Sequence, residues 1–147
     1  ERNTMFFQNA RIVTSDFQFH LGAFQVENGI FTQVLAQDVP EDAIDLHGAT
    51  VIPGLIDVHH HGNSNADFSD GDYEGLKRMA TYLAGVGVTS FAPASMTLPY
   101  DVLEKAFTTA RQLVDEDPEG CAVLRGIQME GPYFSYKKRG AQNAEYL

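Results

Sequence analysis

Apolar side chains change their rhythm along this chain near residue 50. In the first part, residues 6–14, 17–26 and 30–35 are dense in aromatic and β-branched side chains, and Asn28-Gly29 stands between the last two segments. Such residues suit a pleated surface, and Asn-Gly is the strongest short hairpin signal because both positions accept positive φ. A small β region is therefore expected, continued by a loop at residues 40–42 and a short segment at 43–46, with Gly48 at its exit.

From Val51 onward the pattern predicts strand and helix in alternation, which is how parallel units are built. Val51, Ile52, Leu55, Ile56 and Val58 make a nearly continuous apolar run, the expectation for a parallel strand buried on both faces. Pro53 and Gly54 interrupt it near its start, where a missing donor costs least. The stretch from Tyr73 to Gly85 sets Leu76, Met79, Ala80, Leu83 and Ala84 on one helical face, with Asp70 and Asp72 as candidate caps and Gly85 and Gly87 as stops. A second strand is predicted over 88–92 and a second helix over 99–116, its buried stripe holding Leu103, Ala106, Phe107, Ala110, Leu113 and Val114. Residues 122–129 predict a third strand. The fold class expected is α/β: residues 1–50 a small β region, residues 51–147 the first strand-helix units of a (β/α)8 TIM barrel. A whole barrel takes roughly 250 residues, so these steps are less than half of one, and the stretch is expected to be the leading part of a longer enzyme.

Side chains capable of chemistry sit where these strands end. The first strand runs into His59-His60-His61-Gly62, and a period of two sends His59 and His61 to one face and His60 to the other. Glu130, in Glu130-Gly131-Pro132, closes the third strand and so shares the rim with the histidines. His59, His61 and Glu130 are thus the candidate ligands of a divalent cation. Asp57 reads as a cap or loop anchor, and His20 and His47 as structural or exposed. Cys121, Phe91, Met96 and Phe107 read as core. The Thr89-Ser90 and Ala94-Ser95 hydroxyls have no neighbouring histidine and no Gly-x-Ser-x-Gly elbow, so a serine nucleophile lacks support. No glycine-rich phosphate loop is present, and the glycines at 85 and 87 follow a helix rather than a strand.

Composition narrows the partners. With 20 acidic against 10 basic residues the net charge is −10, which argues against a general affinity for nucleic acid or an anionic membrane. An anionic small molecule is not excluded, because a few placed cations or backbone amides bind phosphate locally. The lone Cys121 forms no internal disulfide and fits a reducing compartment. Neither a membrane span nor a signal peptide is expected, and the plain expectation is a cytoplasmic protein.

Three motifs, in order along the chain, carry a family likeness. They are Asn9-Ala10-Arg11-Ile12-Val13 with the later Glu27-Asn28-Gly29-Ile30; the stretch from Pro53 through Asp57 and His59-His60-His61 to Gly62; and Met129-Glu130-Gly131-Pro132-Tyr133 followed by Lys138-Arg139-Gly140-Ala141-Gln142-Asn143. With them the chain resembles the N-acetylglucosamine-6-phosphate deacetylases of the amidohydrolase superfamily, the third motif being the specific one. The resemblance implies a distorted (β/α)8 barrel beside a small, urease-like β-sandwich built partly from the amino terminus. It implies that Glu130 ligates a catalytic metal, that His59 and His61 support a second one, and that Ala141 and Gln142 contact the amino sugar. Lys137, Lys138 and Arg139 read as solvated charge. Zinc or iron(II), one ion or two, suits imidazole and carboxylate donors. The activity implied is hydrolysis of the acetamide of N-acetylglucosamine 6-phosphate, in a protein that is a homodimer. Alternatives are another amidohydrolase acting on a cyclic amide or a different N-acyl sugar, or a non-catalytic fragment. The family's general acid, an aspartate, and two further metal-binding histidines are expected beyond Leu147, so this stretch alone is expected not to turn over substrate.

Overall fold

A computed structural model describes residues 4–147, and the chain divides into two compact units, Glu1–Pro53 and Gly54–Leu147. In the first, β1 (Thr4–Val13), β2 (Phe19–Glu27) and β3 (Ile30–Val34) form an antiparallel meander, and β4 (Ile44–Asp45) and β5 (Thr50–Val51) each pair with β1 in parallel. The five strands make one sheet ordered β3-β2-β1-β4, with β5 also on β1. Asn28 at φ 53° and Gly29 at φ 78° supply the successive left-handed residues that a two-residue hairpin needs. Ala10, Ile12 and Phe24 are buried at the centre of this unit, and the Phe24 ring stacks on Phe7 at 4.8 Å and Phe31 at 5.0 Å between centroids.

The second unit opens with β6 (Leu55–Asp57) and a small hairpin of β7 (Gly62–Asn63) and β8 (Ala66–Asp67). Then come α1 (Tyr73–Gly85), β9 (Val88–Phe91), α2 (Tyr100–Glu116) and β10 (Val123–Leu124). Strands β6, β9 and β10 make a parallel sheet in their order along the chain, each joined to the next through a helix. The expected α/β alternation is present. Asp72 caps α1 by accepting the Gly75 N–H at 2.9 Å, and the helix bounds coincide with those the sequence predicts. Phe68, Leu76, Met79, Ala80, Leu83, Phe91, Ala106, Ala110, Leu113, Ala122 and Leu124 form its core. Cys121 packs half-buried against it.

Three expectations need correction. The strand expected over residues 51–58 is divided: Val51 belongs to β5 in the first sheet and only Leu55–Asp57 form β6 in the second. Nor is this run buried on both faces, for Ile56 and Val58 are 70% and 64% exposed. β6 is an edge that pairs only with β9 among the described residues, and apolar composition buries a strand's face only where another element covers it. On α2, Val114 is exposed and Thr109 takes a buried place instead. The Thr109 hydroxyl is satisfied there by sharing its one hydrogen between two acceptors, the Lys105 carbonyl at 3.0 Å and the Gly71 carbonyl at 3.2 Å. Finally, β10 spans two residues where eight were expected, yet the chain keeps tracking β9: Arg125 N–H reaches the Phe91 carbonyl and Gln128 N–H that of Pro93, each at 2.9 Å. No helix among the described residues is long and apolar enough to cross a membrane.

Candidate metal centre

The site begins at the carboxyl end of β6. Past Asp57 the backbone stays beside the chain that leaves β9, with Ala92 N–H donating to the Asp57 carbonyl and Ala94 N–H to that of His60, both at 2.8 Å. This extended course keeps the period-two alternation alive beyond the strand proper. His59 and His61 therefore emerge together, their rings 5.2 Å apart and close to perpendicular. His60 turns the other way, half-buried near the Phe91 ring. Its Nδ1 lies 3.1 Å from Asp57 Oδ2, close enough for an ion pair but not aligned for a hydrogen bond, and its Nε2 meets the Asn63 amide at 3.3 Å. Asp57 also accepts the His59 N–H at 3.0 Å, so it anchors this turn.

Glu130 completes the cluster from the segment after β10. Its Oε2 lies 3.2 Å from His59 Nε2 and 3.2 Å from His61 Nε2. One ligand atom from each of the three residues falls within 4.8 Å of the others. The three side chains named from the sequence are thus brought together at one rim. His20 and His47 belong to the first unit, beside Asp16 and Asp45.

The donor set fits a cation. His61 Nδ1 is 3.1 Å from the Ala94 carbonyl oxygen. A carbonyl only accepts, so Nδ1 carries the proton and the Nε2 lone pair is free to face outward, the arrangement in which histidine ligates metal. A neutral imidazole nitrogen and a carboxylate oxygen are both electron-rich, and their approach is favourable only with a positive centre or a proton between them. Two donors on one tetrahedral ion with bonds of about 2.0–2.2 Å stand roughly 3.3–3.5 Å apart, close to the two separations between Glu130 and the imidazoles here.

Gln142 is the residue whose place the sequence conveys least. It is buried, its Oε1 accepts the Thr97 N–H at 2.9 Å, and its Nε2 donates to Glu130 Oε1 at 2.9 Å. Ala141 beside it is exposed. Among the described residues the Lys137, Lys138 and Arg139 side chains make no ion pair with the cluster, and the Arg139 guanidinium lies over the Tyr136 ring, 4.2 Å from its centroid. An apolar cleft of about 430 Å³ lies between α2 and the segment after β10, lined by Leu103, Phe107, Met129, Pro132 and Tyr133 among others, and includes none of the three candidate ligands.

No model of a known protein family matches the chain. Individual proteins do. It is 33% identical over 123 residues to the N-acetylglucosamine-6-phosphate deacetylase of Vibrio furnissii, an alignment covering 82% of this chain and 31% of that protein. With the same-named protein of Danio rerio the identity is 35% over 114 residues, covering 76% and 28%. The crystal structure of N-acetylglucosamine-6-phosphate deacetylase from Pasteurella multocida superposes with a TM-score of 0.84 at 30% identity, over 97% of this chain and 38% of that one. The chain therefore spans about three-tenths of the length of the curated relatives it matches.

Proposed function

We propose that this chain, which belongs to the N-acetylglucosamine-6-phosphate deacetylase family as its amino-terminal part, contributes the first metal-binding rim of an enzyme that hydrolyses N-acetylglucosamine 6-phosphate to glucosamine 6-phosphate and acetate. The observation that carries this reading is the meeting of His59 Nε2 and His61 Nε2 on the single oxygen Oε2 of Glu130, each at 3.2 Å. In the same reading Gly54–Leu147 holds the first three strands of a (β/α)8 barrel, supported by the sequential parallel order of β6, β9 and β10, and residues 1–50 belong to an accompanying β-sandwich.

His59, His61 and Glu130 would hold zinc or iron(II), one ion or two. When bound, such an ion polarises an amide carbonyl and makes hydroxide available near neutral pH. What this chain's residues do is bind and orient. The Ala94 carbonyl fixes the His61 tautomer, Asp57 anchors the turn that carries His59, and Gln142 and Thr97 support the Glu130 side chain. Ala141 and Gln142 are assigned to the amino sugar by the family likeness, and Gln142 retains one amide hydrogen beyond the one given to Glu130.

A second reading has a specific observation behind it: the same distances suit two protonated imidazoles paired with one carboxylate, without any metal. Elemental analysis of protein prepared without chelator separates the two. Stoichiometric zinc or iron, lost in His59→Ala, His61→Ala and Glu130→Ala, is the expected result. Background metal, or content unchanged by the three substitutions, would sink the metal reading. Acetate release from N-acetylglucosamine 6-phosphate, with a cyclic amide and a second N-acyl sugar as controls, tests the substrate in a polypeptide that continues past Leu147.

A further inference from the structure

We infer that Gln142 is a positioning residue for Glu130, locking the carboxylate so that one oxygen alone, Oε2, faces the two imidazoles. This rests on the metal-centre reading above and deepens it. A glutamate's last torsion is broad and roughly two-fold, so an unrestrained carboxylate presents either oxygen, or both, to a neighbouring cation. Here Oε1 is taken by the Gln142 Nε2 at 2.9 Å, and Oε2 is left to His59 and His61 at 3.2 Å each.

The orientation of the amide is determined by its other end. Gln142 Oε1 accepts the backbone N–H of Thr97 at 2.9 Å; a flipped amide would set hydrogens against that N–H and its oxygen against the carboxylate. Gln142 is 8% exposed and Thr97 2%, so neither partner has water as an alternative. The bond to Glu130 joins a neutral donor to a charged acceptor in a partly desolvated place, the stronger kind of hydrogen bond. The link also crosses the chain widely: Thr97 follows β9, whereas Glu130 and Gln142 lie beyond β10. Gln142 thus refers the position of the carboxylate to the strand next to the one that leads to the histidines.

A contact with the sugar alone would leave metal binding untouched when no sugar is present, whereas a positioning role would not. The decisive measurement is therefore zinc affinity of the sugar-free protein by calorimetry, with the visible spectrum of the cobalt(II) form as a report on carboxylate geometry. Gln142→Met, of similar length but without donor or strong acceptor, is expected to bind zinc about 10- to 100-fold more weakly and to change the cobalt spectrum, as loss of an outer-shell partner does. Gln142→His, with one ring N–H and one acceptor nitrogen, is expected to recover most of both. In the unsubstituted chain, the Gln142 side-chain amide resonances are expected to shift when zinc is added. If Gln142→Met is folded and binds like the parent, the positioning role is wrong; unmoved amide resonances in a zinc-loaded parent overturn it even where the variant does not fold. A parent that binds no zinc overturns the metal-centre reading and this inference with it, so the two failures are told apart.

Discussion

His61 gives its Nδ1–H to the carbonyl oxygen of Ala94, 3.1 Å away, tying the histidine turn after β6 to the chain that leaves β9. The bond decides which nitrogen is protonated and hence which one is available as a donor to a cation. His59 has no such partner on its second nitrogen among the described residues, and His60 faces Asp57 and Asn63 instead.

Three neighbouring histidines are therefore predicted to behave differently. His61→Ala and His59→Ala each remove a donor atom and should weaken zinc binding by more than the 10- to 100-fold typical of an outer-shell loss. His60→Ala should leave zinc affinity within a few-fold of the parent while lowering thermal stability, because it empties a half-buried place against Phe91. Competition with a chelating indicator measures all three; equal losses across the series would contradict the assignment.

That His59 and His61 share one side of the chain was legible because alternation depends only on local backbone, and the backbone stays extended past the formal end of β6. The bounds of α1 were legible for a similar reason, since Asp72 is an efficient local cap. Burial was less so. The exposure of Ile56 depends on what lies beyond an edge strand, and the placement of Thr109 depends on a carbonyl of Gly71, far away in sequence. Gln142 could be named as a site residue from its motif, but its attachment to Thr97 and Glu130 spans irregular loops in which no periodicity operates.

The two helices together offer a stability test that separates buried from merely apolar positions. Met79 on α1 is fully buried and packs in the core with residues of α2, so Met79→Ala should cost about 2–5 kcal/mol in equilibrium urea unfolding. Val114→Ala, at a position 47% exposed, should stay within about 0.5 kcal/mol of the parent. Comparable losses at both sites would mean that the apolar stripe of α2 extends to Val114 after all.

The Tyr73 hydroxyl donates to the Glu116 carboxylate, joining the start of α1 to the end of α2. That bond, with a second from Gln112, holds the Glu116 carboxyl below its ordinary 4.5, while the same contact with Glu116 pushes Tyr73 up from 10.0 to about 12. The folded state thus favours the glutamate anion more than the unfolded chain does, a contribution present above pH 4.5 and lost as pH falls through the lowered value. It also favours neutral tyrosine, a contribution present below pH 10.0 and lost as pH rises through about 12. Tyr73→Phe should therefore lower the melting temperature slightly between these limits and converge with the parent at both extremes. The groups face solvent, so the difference should also shrink with added salt. A melting difference independent of pH would show that the lost contact is packing alone.

Gly131, immediately after the candidate ligand Glu130, provides a further test of how that carboxylate is placed. It sits at φ 83°, and a Cβ there would stand 2.0 Å from Thr97 Oγ1 and 3.1 Å from Thr97 Cβ. Thr97 is buried, so Gly131→Ala must shift either Thr97 or the backbone next to Glu130 as well as bear a left-handed conformation. Gly120 has a similar φ of 75° with open space around it, which makes Gly120→Ala a measure of the conformational cost by itself. Both variants should lose about 1–3 kcal/mol from backbone strain. Gly131→Ala should lose more than Gly120→Ala, and only Gly131→Ala should bind zinc more weakly. Unfolding curves and zinc titration of the pair check this; equal destabilisation with parental zinc affinity in both would show that close packing of Gly131 on Thr97 does not set the position of Glu130.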